Sequence, residues 1–587
     1  MEKLKYPNPQ KIRKKWIDLN GKWLFKLDGN ENANIKKPYK KEDFDLEITV
    51  PYSYTFKKSS VSIQEYCPVV WYYREFQLEK RENKSYLLNF EAIDYKCDIW
   101  INDTFVISHE GGHVPFEVDV TNYVDNLNTI TIRVEDHNDT NQPIGKQSWK
   151  DENFLCWYSR TIGIWQNVWL EETGKTYITS LMMKPNIHNS ELEIDTTINR
   201  NVNGLIEAKV TYKGQFITKI ISTFKNKRAK FSIDVSSNLA HFRLFYWHPT
   251  DPNLYDIELT IMDEKYEIEE KIESYFGMRG IESHQEKIYI NDQEFYQKLV
   301  LNQGYYPDAG LTGTADEFLE DLKKIKEMGF NGLRMHQKIE SHRLLYLCDQ
   351  LGLCMWAEMP SSFEYSHMSN KRMVNEIHSF VGKHINHPSV ITYVVMNESW
   401  GVNEISHNKE EQNFVNALYY LVKSLDDTRL VIGNDGWEQT LTDVCTIHDY
   451  NSDERTLLAS YENKEMALKE SPSLTSGRKT YCKGYENQRN PFLISEYGGI
   501  AYQEDMTETS WGYGDRIQSK DEVLQKIENL TKEIMKIEYC CGFCYTQLTD
   551  VEQEVNGLLD HNHNYKFDPK LIKAMMESDR QYGFIFK

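Results

Sequence analysis

The chain has 587 residues, of which 27% are charged, and a formal net charge of −21; a surface this acidic excludes a role built on gripping a polyphosphate. With 40% hydrophobic residues it has the composition of a globular protein, and its length suggests about three or four domains. No run approaches the roughly 18 apolar residues of a membrane span, and the N-terminal MEKLKYPNPQKIRKKW lacks the apolar core of a signal peptide. A cytoplasmic location, without membrane or nucleic-acid partners, is therefore expected. The 10 scattered cysteines include no CxxC pair and read as buried free thiols.

Residues 1–174 carry short alternating strands with hardly a helical period: WYYREFQL (71–78), SYLLNFEA (85–92), CDIWIND (97–103), TITIRVED (129–136) and GIWQNVWLEE (163–172). Strands of this length at close spacing predict a jelly-roll β-sandwich. The alternation continues over 175–280 in a smaller unit, with YITSLMMKP, ELEIDTTIN, LIEAKVTYK, KFSIDVS and DIELTIMD, which fits an immunoglobulin-like sandwich. A literal HExxH stands at His109, Glu110 and His113. Zinc chemistry needs both histidines on one helix face, whereas here Gly111 and Gly112 lie between strand-like flanks, so a turn is expected.

From 281 to 587 the texture changes. Apolar runs alternate with amphipathic helical stretches such as TADEFLEDLKKIKEMG (314–329) and RLLYLCDQLG (343–352), the latter with Gly352 as C-cap. The candidate strands are KLVLNQ (298–303), FNGLRMH (330–336), LCMWAEM (353–359), VITYVVM (390–396), RLVIGND (429–435), DVCTIHDY (443–450), FLISEY (492–497) and GFCYTQL (542–548). Eight strands alternating with helices predict a (β/α)8 barrel, whose reactive residues sit where strands end. The fourth ends in Asn397 and Glu398 and the seventh in Glu496, 98 residues further on. Two carboxyls facing one mouth suit retaining glycoside hydrolysis, one as proton donor and the other as nucleophile. A chain with 89 acidic residues also places some glutamates at strand ends by chance.

These segments resemble glycoside hydrolase family 2, the β-galactosidases, β-glucuronidases and β-mannosidases, over nearly the whole chain. WYYREF (71–76), HEGGHVPFEVDVT (109–121) and GIWQNVWLE (163–171) are similar to the family's sugar-binding jelly roll, and SYFGMRGIE (274–282) to the junction into its barrel. HPSVITYVVMNESWG (387–401) is similar to the acid/base signature and PFLISEYGG (491–499) to the nucleophile signature. The resemblance implies Glu398 as acid/base, Glu496 as nucleophile and Asn397 on the sugar 2-hydroxyl. It also implies Arg334 steadying the nucleophile region, Tyr450 donating to the nucleophile, and Asp308 holding sugar hydroxyls. A barrel-supporting ion pair is the other reading of Arg334, and a loop turn that of Asp308. His336 and His448 stand near strand ends, where they touch sugar, brace carboxylates or simply line the wall; Glu358 lines the cleft or is salt-bridged.

The sequence departs from the family in three places. Strand eight lacks the family's tryptophan, so Trp400, Trp511 or Tyr545 is expected to supply a sugar platform. DVEQEVNGLL (550–559) lacks the Asn-x-Lys that holds a uronate in β-glucuronidases, and AEMPSSFEYS (357–366) lacks a Glu-x-His magnesium site. No cofactor or metal is expected. The resemblance thus implies a retaining exo-β-glycosidase acting on a neutral sugar, galactose first. The alternatives are a mannoside, glucuronide, pentoside or furanoside as substrate, or a carbohydrate-binding paralogue without turnover. Relatives often assemble as homo-oligomers.

Overall fold

The computed structural model describes residues 2–28, 38–236, 244–469, 478–504, 506–514, 517 and 519–577. Alternation of apolar and polar residues builds the first two domains. In the first, a four-stranded antiparallel sheet (Trp16–Asp18, Val168–Gly174, Lys84–Phe90, Phe116–Asp119) faces a six-stranded one centred on Val69–Gln77 and Leu127–Glu135. Tyr72, paired with Ile132, lies in the core between the sheets with Trp23, Phe25, Leu88 and Ile164. His109 lies within the strand Thr104–Glu110 and His113 in the bend that follows it, so the helix that an HExxH zinc site requires does not form. The second domain packs sheets of three and four strands. Leu192, Ile194 and Ile198 point inward from Glu191–Ile198 while Glu191, Glu193 and Asp195 stay at the surface side.

The third domain is a nearly closed parallel barrel. Its strands are β1 (Gln297–Asn302), β2 (Gly332–Met335), β3 (Cys354–Glu358), β4 (Val390–Asn397), β5 (Leu430–Asp435), β6 (Cys445–Asp449), β7 (Phe492–Gly498) and β8 (Cys540–Thr546). They pair in the order β5-β4-β3-β2-β1-β8-β7-β6. At the β5/β6 seam the amide of His448 in β6 donates to O of Gly436, the residue after β5, at 3.3 Å, helping to draw the mouth together there. Buried on both faces, these strands are continuous apolar runs rather than alternating ones. Helices α1 (Ala315–Glu327), α2 (His342–Leu351) and α3 (His367–His384) follow β1, β2 and β3. Thr314 caps α1 by accepting from the Glu317 amide, and Gly352 ends α2 at φ 70°, the left-handed conformation glycine adopts most readily. All ten cysteines are free thiols.

The first domain sits on the barrel mouth. Ile144 N and Gly145 N both donate to Ser361 O at 3.1 Å, and Phe363 N donates to Thr140 O at 2.8 Å. Gly145 has φ 63°, and a Cβ there would fall 2.3 Å from Gln337 O, so only glycine allows this approach. Below it, the Tyr95 hydroxyl donates to Glu376 Oε1 of α3 at 3.1 Å. Glu376 Oε2 and Asp94 Oδ1 are buried without a hydrogen-bond partner. Burial pushes Glu376 up to about 8 and Asp94 up to about 7. Both carboxyls therefore oppose folding increasingly as pH rises from their unfolded values near 4 towards these folded ones. We expect Glu376→Gln, which keeps the acceptor for Tyr95, to raise the melting temperature, with a gain that grows between pH 5 and pH 8. A gain independent of pH in differential scanning calorimetry would show that Glu376 carries no such penalty.

Candidate active site

Arg334 organises the mouth. It is the third residue of β2, fully buried, and its guanidinium reaches four strand ends. Nε donates to Glu358 Oε2 of β3 at 2.8 Å, and Nη2 to Asn397 Oδ1 of β4 at 2.7 Å. Nη1 lies 2.7 Å from Asp435 Oδ2 of β5 and 2.9 Å from Glu496 Oε1 of β7. A planar cation with five fixed donors suits such convergence, and a buried charge requires it. Burial alone would raise Glu358 and Asp435, but the Arg334 charge reverses this and holds both below the usual carboxylate range. His336 Nδ1 lies 3.2 Å from Glu358 Oε1, so His336 and Arg334 together fix Glu358.

Glu398 and Ser399 follow β4 with φ 51° and 58°. That left-handed pair, sparsely populated for residues with a Cβ, turns the Glu398 side chain back over the mouth. Its Oε1 accepts from His448 Nδ1 at 2.7 Å, and Trp400 Nε1 donates to its Oε2 at 3.3 Å. The other nitrogen of His448 lies 2.9 Å from Asp435 Oδ2 and 3.4 Å from Glu496 Oε1. Burial lowers the His448 pKa, but Glu496, Asp435 and Glu398 outweigh it and push the imidazole up to about 10. For Glu398, burial acts upward and the hydrogen bond and charge of His448 act downward more strongly, leaving it below its ordinary value. Carboxylate oxygens of Glu398 and Glu496 and a ring nitrogen of His448 all lie within 4.8 Å of one another.

Glu496 Oε2 accepts from the Tyr450 hydroxyl. The Tyr450 ring stacks on Tyr513 with centroids 3.4 Å apart, and Trp511 meets the edge of Tyr513 at 4.8 Å. Trp511 is thus packed on Tyr513, with its backbone amide donating to Gln553 O of the loop after β8 at 2.7 Å. Tyr545 is buried against Tyr497 and cannot serve as a sugar platform. Trp400 can: with Trp157 (5.1 Å between ring centres) and Phe363 (5.6 Å) it forms an aromatic wall next to Glu398. Trp157 comes from the first domain. Asp308 corrects the expectation of a sugar contact: its side chain is half exposed, at φ 59° in a turn, and pairs with Lys57 at 2.9 Å. Tyr306 N and Gly310 N bond within this turn, which directs Asp308 outward.

Asp435 ends β5 in register with Asn397, so the strand-end rule that picked out Asn397 could have found it. Glu554 and Lys146 were also missed. Tyr158 of the first domain and Asn556 donate to the two oxygens of Glu554. Nothing in the local sequence marks either residue, because a loop of one domain and a loop of another make this part of the site.

The chain matches the profile "Glycosyl hydrolases family 2, TIM barrel domain" over residues 281–555, the family's sugar binding domain over 7–174 and its central domain over 176–279. It belongs to glycoside hydrolase family 2. It is 24% identical over 457 residues to a beta-galactosidase of Thermoanaerobacter pseudethanolicus, covering 74% of this chain and 58% of that one. It is 23% identical over 536 residues to the beta-glucuronidase of Rattus norvegicus, covering 82% and 77%. A Formosa agariphila relative carrying a beta-glucuronidase name is 26% identical over 78% of this chain, which spans 54% of that protein's length. Among solved structures, a beta-galacturonidase of Eisenbergiella tayi superposes with a TM-score of 0.76 at 18% identity, covering 97% of this chain and 98% of that one.

Proposed function

We propose that the chain is a retaining exo-β-glycosidase with Glu496 as nucleophile and Glu398 as acid/base. The observation that carries this is the approach of the two carboxylates to within 4.8 Å at the ends of β4 and β7. Retention needs carboxyls about 5–5.5 Å apart, whereas inversion needs roughly 6.5–9.5 Å to admit a water between them. Arg334 and Tyr450 each hold one oxygen of Glu496, which orients it for attack on the anomeric carbon. Attack forms the glycosyl-enzyme bond and breaks the glycosidic bond, whose oxygen leaves with a proton from Glu398. Water then gives a proton back to Glu398 and its oxygen to the anomeric carbon, releasing Glu496. Asn397, anchored on Arg334, faces the position of the sugar 2-hydroxyl.

Which sugar is taken turns on what receives its C6 group: 550–559 lacks an Asn-x-Lys, and among neutral sugars galactose stands first. Hydrolysis of 4-nitrophenyl β-glycosides followed by NMR tests the mechanism: the β-anomer is the expected first product, and a first-formed α-anomer would contradict it.

His448 gives the proton transfer a pH dependence. In the free site the proton that Glu398 must donate lies between its Oε1 and His448 Nδ1, so the pair titrates as a unit and keeps that proton until the imidazolium is lost near 10. In His448→Asn the carboxyl must hold it alone, and a buried carboxyl loses its proton at a lower pH than this pair. We expect the alkaline limb of kcat/KM to move at least about one unit towards acid pH. An unmoved limb would sink the shared-proton account. The raised imidazole also contributes stability that is complete below its unfolded pKa near 6.5 and lost as pH rises through about 10.

A further inference from the structure

Lys146 is a cation without a counter-ion. It lies on the first-domain loop that covers the barrel mouth, and only 9% of its surface is exposed. Its ammonium stands 5.0 Å from the centre of the Trp157 ring, and no carboxylate of the described residues lies within ion-pair distance of it. The other buried lysines among the described residues are paired: Lys338 with Glu340 and Lys383 with Glu91. Burial acts to strip the proton from Lys146, but the Cys156 thiol and the more distant charges of Glu554 and Glu398 outweigh it, so the ammonium stays charged. Those same neighbours place it in the space next to Glu398, between the aromatic wall and the loop after β8.

With no carboxylate of the described residues in contact with it, the buried ammonium keeps its donors open to an anion that arrives with the ligand. Glu554 does not take this place. Tyr158 and Asn556 already donate to its two oxygens, and burial raises its affinity for a proton, which also softens its repulsion of an incoming anion. We infer that Lys146 receives the carboxylate of a uronic acid, so that the terminal sugar removed by this site is a β-linked uronide rather than a neutral hexose. The recognition group then comes from the first domain, in place of the Asn-x-Lys that the loop 550–559 lacks. This rests on the reading of Glu398 and Glu496 as the catalytic pair.

The test compares four 4-nitrophenyl substrates: the β-D-glucuronide, β-D-galacturonide, β-D-glucoside and β-D-galactoside. The unaltered protein is expected to show the higher kcat/KM on at least one uronide than on the hexoside of the same configuration, and the two uronides distinguish which configuration is taken. Lys146→Met should lower the uronide-to-hexoside ratio of kcat/KM by roughly 100-fold, chiefly through KM, as expected for loss of a charge-assisted hydrogen bond. Lys146→Arg should restore most of the ratio. A preference of the unaltered protein for the neutral hexoside, or a ratio unmoved in Lys146→Met, overturns the assignment while leaving the glycosidase reading intact. Should Lys146→Met fail to fold, the preference of the unaltered protein decides alone. No hydrolysis of any of the four overturns both readings.

Discussion

A Glu496→Gln variant is expected to fold and to lose roughly 10⁵-fold in kcat on every β-glycoside the parent cleaves, the scale on which removal of a covalent nucleophile is felt. The amide keeps the shape of the carboxyl, and its oxygen still accepts from Arg334 or Tyr450. Arg334 keeps Glu358 and Asp435 as charged partners, so the guanidinium is not left bare. What disappears is the negative charge that attacks the anomeric carbon. Circular dichroism and melting temperature report the fold, and stopped assays of released nitrophenol report the chemistry. Turnover within ten-fold of the parent in a folded variant would remove Glu496 from the role of nucleophile and leave the proposed mechanism without its first step.

Glu398→Ala separates the two chemical steps. Dinitrophenyl leaving groups need little protonation, so glycosylation of the enzyme should proceed almost as in the parent, whereas alkyl and unactivated aryl glycosides should lose about 10³- to 10⁴-fold. Removal of the glycosyl group from Glu496 then lacks a base and becomes slow, and the covalent intermediate accumulates. The expected signature is a burst of dinitrophenol followed by a slow steady state, with the added mass of one sugar on the protein by mass spectrometry. Added azide, a nucleophile that needs no base, should restore the steady state and yield a β-glycosyl azide. Equal losses on activated and unactivated leaving groups would show that residue 398 does not protonate the leaving oxygen.

The barrel and its proposed catalytic pair were legible because they obey local rules. Continuous apolar runs bounded by helical stretches mark parallel strands, and NES and ISE at the ends of two of them place Glu398 and Glu496 at one mouth. Arg334 was legible as a residue, but its reach was not: it ties β3, β4, β5 and β7 at once, and that follows from the closure of the ring. Asp308 shows the opposite failure. Its place after β1 was read correctly, yet a turn in the left-handed conformation sends the side chain to Lys57, and the sense of a turn is not written in the identity of one aspartate. The platform was narrowed by packing: Tyr545 is buried beneath β7, Trp511 packs on Tyr513, and Trp400 is the ring that bonds Glu398. Lys146 and Trp157 escaped sequence reading altogether, since their place at the mouth depends on how a jelly roll docks onto a barrel more than a hundred residues away.

Gly145, pressed against Gln337, sets how closely the first-domain loop approaches the barrel mouth. Under the proposed readings of Glu398, Glu496 and Lys146, bond cleavage falls to the barrel and sugar choice to the jelly roll that covers it. A change in the jelly-roll loop is then expected to retune what is admitted while Arg334, Glu398 and Glu496 stay unaltered in the barrel, so new selectivity in this scaffold should be sought first in residues 140–160.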